Sequence, residues 1–200
     1  MAFLIDEAFL PATLTCRKMT DQEFAEFCAE HPDLFFEVTA DGELVVVPPT
    51  YTMTDARNLE IIGQLRNWAR GNAAGTATGS SGGFVLPSGA RRSPDVAWTV
   101  KTKSQQLSEQ ERGSYWHLCP DFVIELKSKT DRMRVLREKM HEWIANGAQL
   151  AWLIDPDTRA VEIYCEGREP EMLAGIDRVK GESPVAAFVL DLTTVWNPIL

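Results

Sequence analysis

The run Phe122-Val123-Ile124-Glu125-Leu126-Lys127, entered through Pro120-Asp121, constrains this chain more than any other stretch. A short apolar run rich in β-branched and aromatic residues, bounded by a proline, reads as a buried strand. Alternate side chains of a strand share a face, so Phe122, Ile124 and Leu126 point one way, and Val123, Glu125 and Lys127 the other. A carboxylate and an ammonium set on a buried strand cost free energy unless a partner or a task offsets it. A structural ion pair and a metal-dependent phosphodiesterase site both meet that condition. The rest of the chain has to choose between them.

Around this strand the pattern alternates. Thr20 with Glu23 three residues later marks the capped start of a short helix. "LFFEVTADGELVVVPP" predicts a hairpin turning at Asp41-Gly42 and stopped by Pro48-Pro49. Thr54 is placed to cap a second helix with an apolar stripe at Leu59, Ile62, Leu65 and Ala69, ended by Gly71. The glycine-rich stretch "GNAAGTATGSSGGF" is too interrupted for a helix and predicts a flexible hairpin or loop, and it lacks the GK[ST] ending of a phosphate loop. "FVLP" and "DVAWTV" predict strands about a Ser88-Gly89 turn, and residues 102–116 a loop or short helix. Asp131 is the expected cap of a helix whose stripe is Leu136, Met140, Trp143 and Ile144, closed by Gly147. "QLAWLID" and "AVEIYCEG" then form a hairpin about Pro156-Asp157, and "PVAAFVLDLTTVW" predicts one further strand. Helices and strands mixed in this order predict an α/β (α+β) layer fold, a mixed sheet flanked by helices. The length and a 44% hydrophobic content predict a single domain over residues 1–200.

The net charge of −9 argues against a protein that coats nucleic acid. Its distribution is uneven. Residues 91–139 hold 11 Lys/Arg against 7 Asp/Glu, while both flanks are acidic, so the basic segment is the one containing Glu125. Four scattered cysteines (Cys16, Cys28, Cys119, Cys165) without metal spacing predict free thiols in a reducing compartment. With no signal-peptide pattern and no apolar run of spanning length, a cytoplasmic protein without membrane association is expected.

Pro94-Asp95 opens the strand "DVAW". If that strand pairs with "DFVIEL", Asp95 and Glu125 converge at one end of the sheet. Two carboxylates and the Leu126 backbone carbonyl are hard oxygen ligands of the kind Mg²⁺ prefers. Lys127, one strand repeat on, is placed to orient a water or neutralise developing charge.

Pro94-Asp95 with Glu125-Leu126-Lys127 resembles the PD-(D/E)xK motif of restriction-endonuclease-like nucleases. In order, "FFEVTADGELVVVPP", "SPDVAW", "PDFVIELKSKTD" and "KMHEWIANGAQLAWLIDPDTRAVEIY" resemble the Uma2-type (DUF820) endonucleases, from about Phe35 to Tyr164. The resemblance implies a restriction-endonuclease-like core, a homodimer, DNA as substrate, and Mg²⁺ or Mn²⁺ held by Asp95 and Glu125 with the Leu126 carbonyl. It implies catalytic help from Lys127. Many relatives carry their lysine on the following helix instead, where this chain has Lys139, so Lys139 is held in reserve. An acidic contribution from the first hairpin or the next helix points to Glu43 or Glu60. The histidine common early in that helix has no counterpart in "TDARNLE". Arg91, Arg92, Lys129, Arg132 and Arg134 are candidate phosphate contacts.

Other readings of the same residues are a surface Glu125–Lys127 pair, a catalytically silent nuclease-fold module that binds nucleic acid or a protein, and a hydrolase of RNA or another phosphodiester. Asp121 is read as a strand-entry residue. His31, His117 and His141 have no metal spacing, and Ser80 and Ser81 lack a nucleophile-elbow context.

Overall fold

The computed structural model describes residues 12–15, 18–47, 50–72 and 74–198. Cys16 and the Pro48-Pro49 stop lie outside them. The elements run β1 (Ala12–Leu14), α1 (Asp21–Glu30), β2 (Phe35–Val38), β3 (Leu44–Val47), α2 (Thr52–Asn72), β4 (Gly75–Gly79), β5 (Phe84–Val85), β6 (Arg91–Arg92) and β7 (Val96–Val100). Two four-residue helices follow, α3 (Lys101–Ser104) and α4 (Glu109–Arg112), then β8 (Phe122–Leu126), α5 (Met133–Ala145), β9 (Leu150–Asp155) and β10 (Ala160–Cys165). The chain closes through β11 (Glu171–Ala174), β12 (Arg178–Lys180), β13 (Val189–Asp191) and α6 (Thr193–Trp196).

The central sheet has the order β11-β10-β9-β8-β7-β4 and is mixed: β8 and β9 are parallel, their other neighbours antiparallel. Parallel neighbours need a crossover, which α5 supplies. A second sheet, β1-β3-β2-β6-β5, packs with α1, and β12 pairs with β13 alone. The expected mixed sheet flanked by helices is therefore what the chain forms.

Strand parity separates the two faces of the central sheet. Phe122, Ile124 and Leu126 bury against α2 and the C-terminal elements, together with Trp98, Trp152 and Phe188. Val123, Ala151 and Leu153 bury against Met140 and Trp143 of α5. Both faces are covered, which is why β8 and β9 read as continuous apolar runs.

Local expectations fare unevenly. The Thr20–Glu23 capping box forms in both directions, and Gly42 turns the hairpin at φ +88°. Helix α2 starts two residues before Thr54, which is buried in its first turn, and its buried stripe is Ile61, Leu65 and Ala69, leaving Leu59 63% exposed. Asp131 does not cap α5; it accepts the Ser128 N–H at 2.8 Å, and Arg132 holds the cap position without a side-chain bond. Within the stretch expected to be a flexible hairpin or loop, Gly75–Gly79 is an edge strand paired with β7, whose Gly75 lies against Trp98 where any Cβ would collide. The run expected as one tail strand, residues 184–196, holds the short strand β13 and then turns into α6, and β11 and β12 precede it.

Candidate functional site

The register of β7 on β8 pairs Val96 with Ile124, so the residue before Val96 stands across from the residue after Ile124. That brings Asp95 and Glu125 side by side, as the sequence suggested. Like charges directly opposed are unfavourable, so something must hold them. Asp95 accepts from Asn58 Nδ2 at 3.1 Å and from the Leu126 N–H at 2.8 Å. Glu125 Oε1 accepts from Trp143 Nε1 and lies 2.9 Å from Lys139 Nζ. Lys139 and Trp143 are four residues apart on α5 and therefore share a face, which places both donors over Glu125.

Lys139 also bonds Glu37 of β2, at 3.0 Å. Glu37 accepts from Arg92 Nη1 and the Ser93 N–H, and Arg92 reaches on to Glu142 at 2.6 Å. A buried network thus ties the second sheet to α5 through the site. It closes one wall of a cavity of about 310 Å³ that Asp95, Glu125, Leu126, Asp131 and Lys139 line.

The charge balance of this cluster is uneven. Burial, opposed by Lys139 but reinforced by Asp95 and Glu37, pushes the Glu125 carboxyl up to about 7. Burial likewise raises Asp95, against the pull of the Leu126 N–H, Lys139 and Asn58. Glu37 goes the other way: burial is outweighed by Lys139, Arg92 and the Ser93 N–H, so it stays below its ordinary value. Burial alone would lower Lys139, but Glu125 and Glu37 hold its ammonium above its usual range. Lys139 stays charged and is shared between two carboxylates, which leaves Asp95 and Glu125 short of positive charge.

The two lysines take different places: Lys139 lines the cavity and Lys127 does not. Lys127 Nζ lies 2.6 Å from Asp157 and 3.9 Å from Asp155. Its side chain leans across β9, whereas Asp95 stands on the β7 side of β8, so Lys127 shares a face with Glu125 without joining the cavity. Lys139 takes that place, with its side chain 16% exposed. Neither Glu43 nor Glu60 lines the cavity; the acidic residue from the hairpin is Glu37. The sign of Glu37 was in the sequence, in the form that marked Glu125: a lone carboxylate within an apolar strand, here "FFEV". Asn58 carried no such sign.

The basic candidates divide. Arg91 bonds Asp21 and the Met19 carbonyl over the Phe24 ring, and Arg92 is held by Glu37 and Glu142, so both guanidiniums are engaged within the protein. Lys129, Arg132 and Arg134 are exposed, Arg134 pairing with Glu138 along α5. Asp121 sits at the far end of β8 and binds the Val100 N–H, Gln149 and Lys103, a strand-entry role. His117 pairs with Asp21, and His141 packs on Tyr164.

Among the described residues no three His, Cys, Asp or Glu side chains are grouped to hold a metal. Of the carboxylates that line the cavity, Glu37 is held by Lys139, Arg92 and the Ser93 N–H and Asp131 by the Ser128 N–H, which leaves Asp95 and Glu125 with the neighbouring Leu126 as the donor set. That set fits Mg²⁺, which keeps several waters and takes one or two carboxylates, and does not fit a zinc cage.

A family model described as "Uma2: Putative restriction endonuclease" matches residues 21–193. The fold is similar to that of a crystal structure of a "putative nuclease belonging to DUF820" from Anabaena variabilis, with a TM-score of 0.74 and 18% identity over 89% of this chain and 97% of that one. A cryoEM structure of a DrdV–DNA complex aligns with a TM-score of 0.34 and 14% identity over 61% of this chain and 12% of that one, a likeness too slight to argue from. No curated protein matches the sequence.

Proposed function

The chain belongs to the Uma2 family, whose model spans most of its length, and from that premise we propose that it is a Mg²⁺- or Mn²⁺-dependent DNA endonuclease with its PD-(D/E)xK site at Asp95, Glu125 and Lys139. The observation that carries this reading is the pairing of buried Glu125 with half-buried Asp95, both raised in pKa, across β7 and β8 at one cavity. Asp95, Glu125 and the Leu126 carbonyl would hold the metal, which when bound supplies a Lewis acid for the phosphodiester and a water of lowered pKa.

The residues themselves do the positioning. The Leu126 N–H and Asn58 fix both oxygens of Asp95. Trp143 and Lys139 fix Oε1 of Glu125, so Oε2 is the oxygen left to bind a cation. Among the described residues the ammonium of Lys139 is the one fixed positive charge beside Asp95 and Glu125, and it is placed to neutralise charge gathering on a phosphate oxygen. Glu37, itself held by Arg92, keeps it there. Lys127, tied to Asp157, is left as a structural pair.

Calorimetry with Mg²⁺ or Mn²⁺ and nicking of supercoiled plasmid, run together, test the reading. Wild type binds metal and nicks; Asp95→Ala does neither. Lys139→Ala keeps metal binding and loses about 10²-fold or more in nicking, whereas Lys127→Ala stays within a few-fold of wild type. Equal losses for both lysine variants would sink the assignment of Lys139. Metal binding without cleavage of any DNA would favour the silent-module reading instead. The homodimer and the use of both strands belong to the same proposal, with sedimentation velocity as the check.

A further inference from the structure

A second depression, about 530 Å³, runs beside the cavity between one face of α2 and the turn that joins β4 to β5. The two share Asp95, Ser80 and Ser81, so the depression opens onto the candidate site from the side opposite Glu125. Four features along it suit one kind of ligand. Asn58, whose Nδ2 holds Asp95, has its Oδ1 buried with no hydrogen-bond partner. Thr78 Oγ1 is in the same state on the opposite wall. Buried polar atoms left unpaired are uncommon and call for a partner. Leu59 offers an exposed apolar surface beside them. Arg66, exposed and with no ion pair to any described residue, stands two helical turns beyond Asn58, about 12 Å along the axis.

We propose that this groove seats the stretch of polynucleotide strand next to the scissile phosphate, a role that rests on the nuclease reading above. A strand running from Asp95 along α2 meets, in order, the exposed serine hydroxyls at the shared rim, an apolar patch at Leu59 for a sugar or base face, and the Arg66 guanidinium for a phosphate. The hydroxyls of Ser80 and Ser81, at the rim common to both depressions, donate to the phosphates closest to the site. Asp55, the one carboxylate on this wall of α2, lies at the Asp95 end, away from Arg66. The polarity of the groove therefore runs from acidic at the site to basic at its far end.

The test is fluorescence anisotropy of a labelled DNA duplex in EDTA across a salt series, with plasmid nicking in Mg²⁺ run in parallel. Arg66→Ala weakens binding about tenfold at low salt and lowers the log–log salt slope by about one, and Arg66→Glu weakens it further, while Lys180→Ala on distant β12 matches wild type. Arg66 is exposed, so its replacement leaves the fold intact, and metal binding by both variants stays at the wild-type value. If wild type binds and nicks DNA and Arg66→Glu does so with unchanged affinity, salt slope and KM, the groove assignment is overturned and the nuclease reading stands. If wild type neither binds nor nicks, both fall.

Discussion

Glu125 is a carboxylate whose folded environment favours its protonated form. Its pKa rises from an ordinary 4.5 to about 7, chiefly through burial. The folded state then holds the proton more tightly than the unfolded chain, so stability falls with rising pH wherever the unfolded state has already ionised. The stabilising contribution is complete below about pH 4.5 and is lost as pH climbs through about 7. Asp95 shifts in the same direction, while Glu37, held below its ordinary value, contributes above that value and loses its share as pH falls. In EDTA, the melting temperature should decline between pH 5 and pH 8 (about the window of Glu125), and Glu125→Gln should flatten that decline. A melting temperature that rises over the same range in wild type would contradict the direction assigned to Glu125. The residue scale is also where sequence reading was most and least successful. Asp95 and Glu125 were legible because a charge inside an apolar strand is anomalous whatever surrounds it. The choice between Lys127 and Lys139 was not, because strand parity fixes a face and says nothing of which neighbour a long side chain leans toward.

At the scale of elements, the cavity depends on how closely two connecting segments approach. Gly83 follows the β4–β5 turn, and a Cβ there would lie 2.1 Å from Cε1 of Tyr115, a ring that lines the cavity. The ring cannot retreat easily. Trp116 N–H bonds the Gly83 carbonyl at 3.0 Å and Val85 N–H bonds the Trp116 carbonyl at 2.9 Å, while Phe24 packs edge-on at 5.6 Å. Gly83→Ala should cost about 1–3 kcal/mol by overpacking, read as a lower urea midpoint at an unchanged slope. A midpoint equal to wild type would mean that these segments separate at little cost. Elements with strong local chemistry matched their expectations, as the Thr20 capping box and the Asp41-Gly42 turn show. Edge strand β4 did not, because its glycines are there for close packing, Gly75 on Trp98 and Gly79 on Ile62, rather than for flexibility. Asp131 was a reasonable cap by type, but the Ser128 N–H claimed its carboxylate first.

Across the whole molecule, Phe188 joins parts distant in sequence. Its ring stacks on Trp152 at 5.9 Å and meets Phe122 and Trp68, so the C-terminal segment closes the core between α2 and the central sheet. The proposal of a single domain over residues 1–200 makes a thermodynamic demand. Far-UV and near-UV circular dichroism should report one coincident unfolding transition, and Phe188→Ala should lower its stability by about 3–5 kcal/mol without splitting it. Two separated transitions would assign the small sheet or the C-terminal elements a stability of their own. No helix among the described residues is long and apolar enough to cross a membrane.

The sequence by itself determined which strands are buried, where Asp95 and Glu125 fall along them, and which family the ordered motifs resemble. Those properties follow from local period, turn chemistry and the cost of placing a charge in an apolar run. Tertiary structure alone decided the rest of the site. Glu37 comes from a different sheet, Lys139 from the crossover helix, and Asn58 from a helix on the opposite face of the central sheet. Asn58 meets Asp95 across 37 positions of chain, and Lys139 meets Glu37 across 102. Separations of that size are set by how layers pack, and no local pattern encodes them.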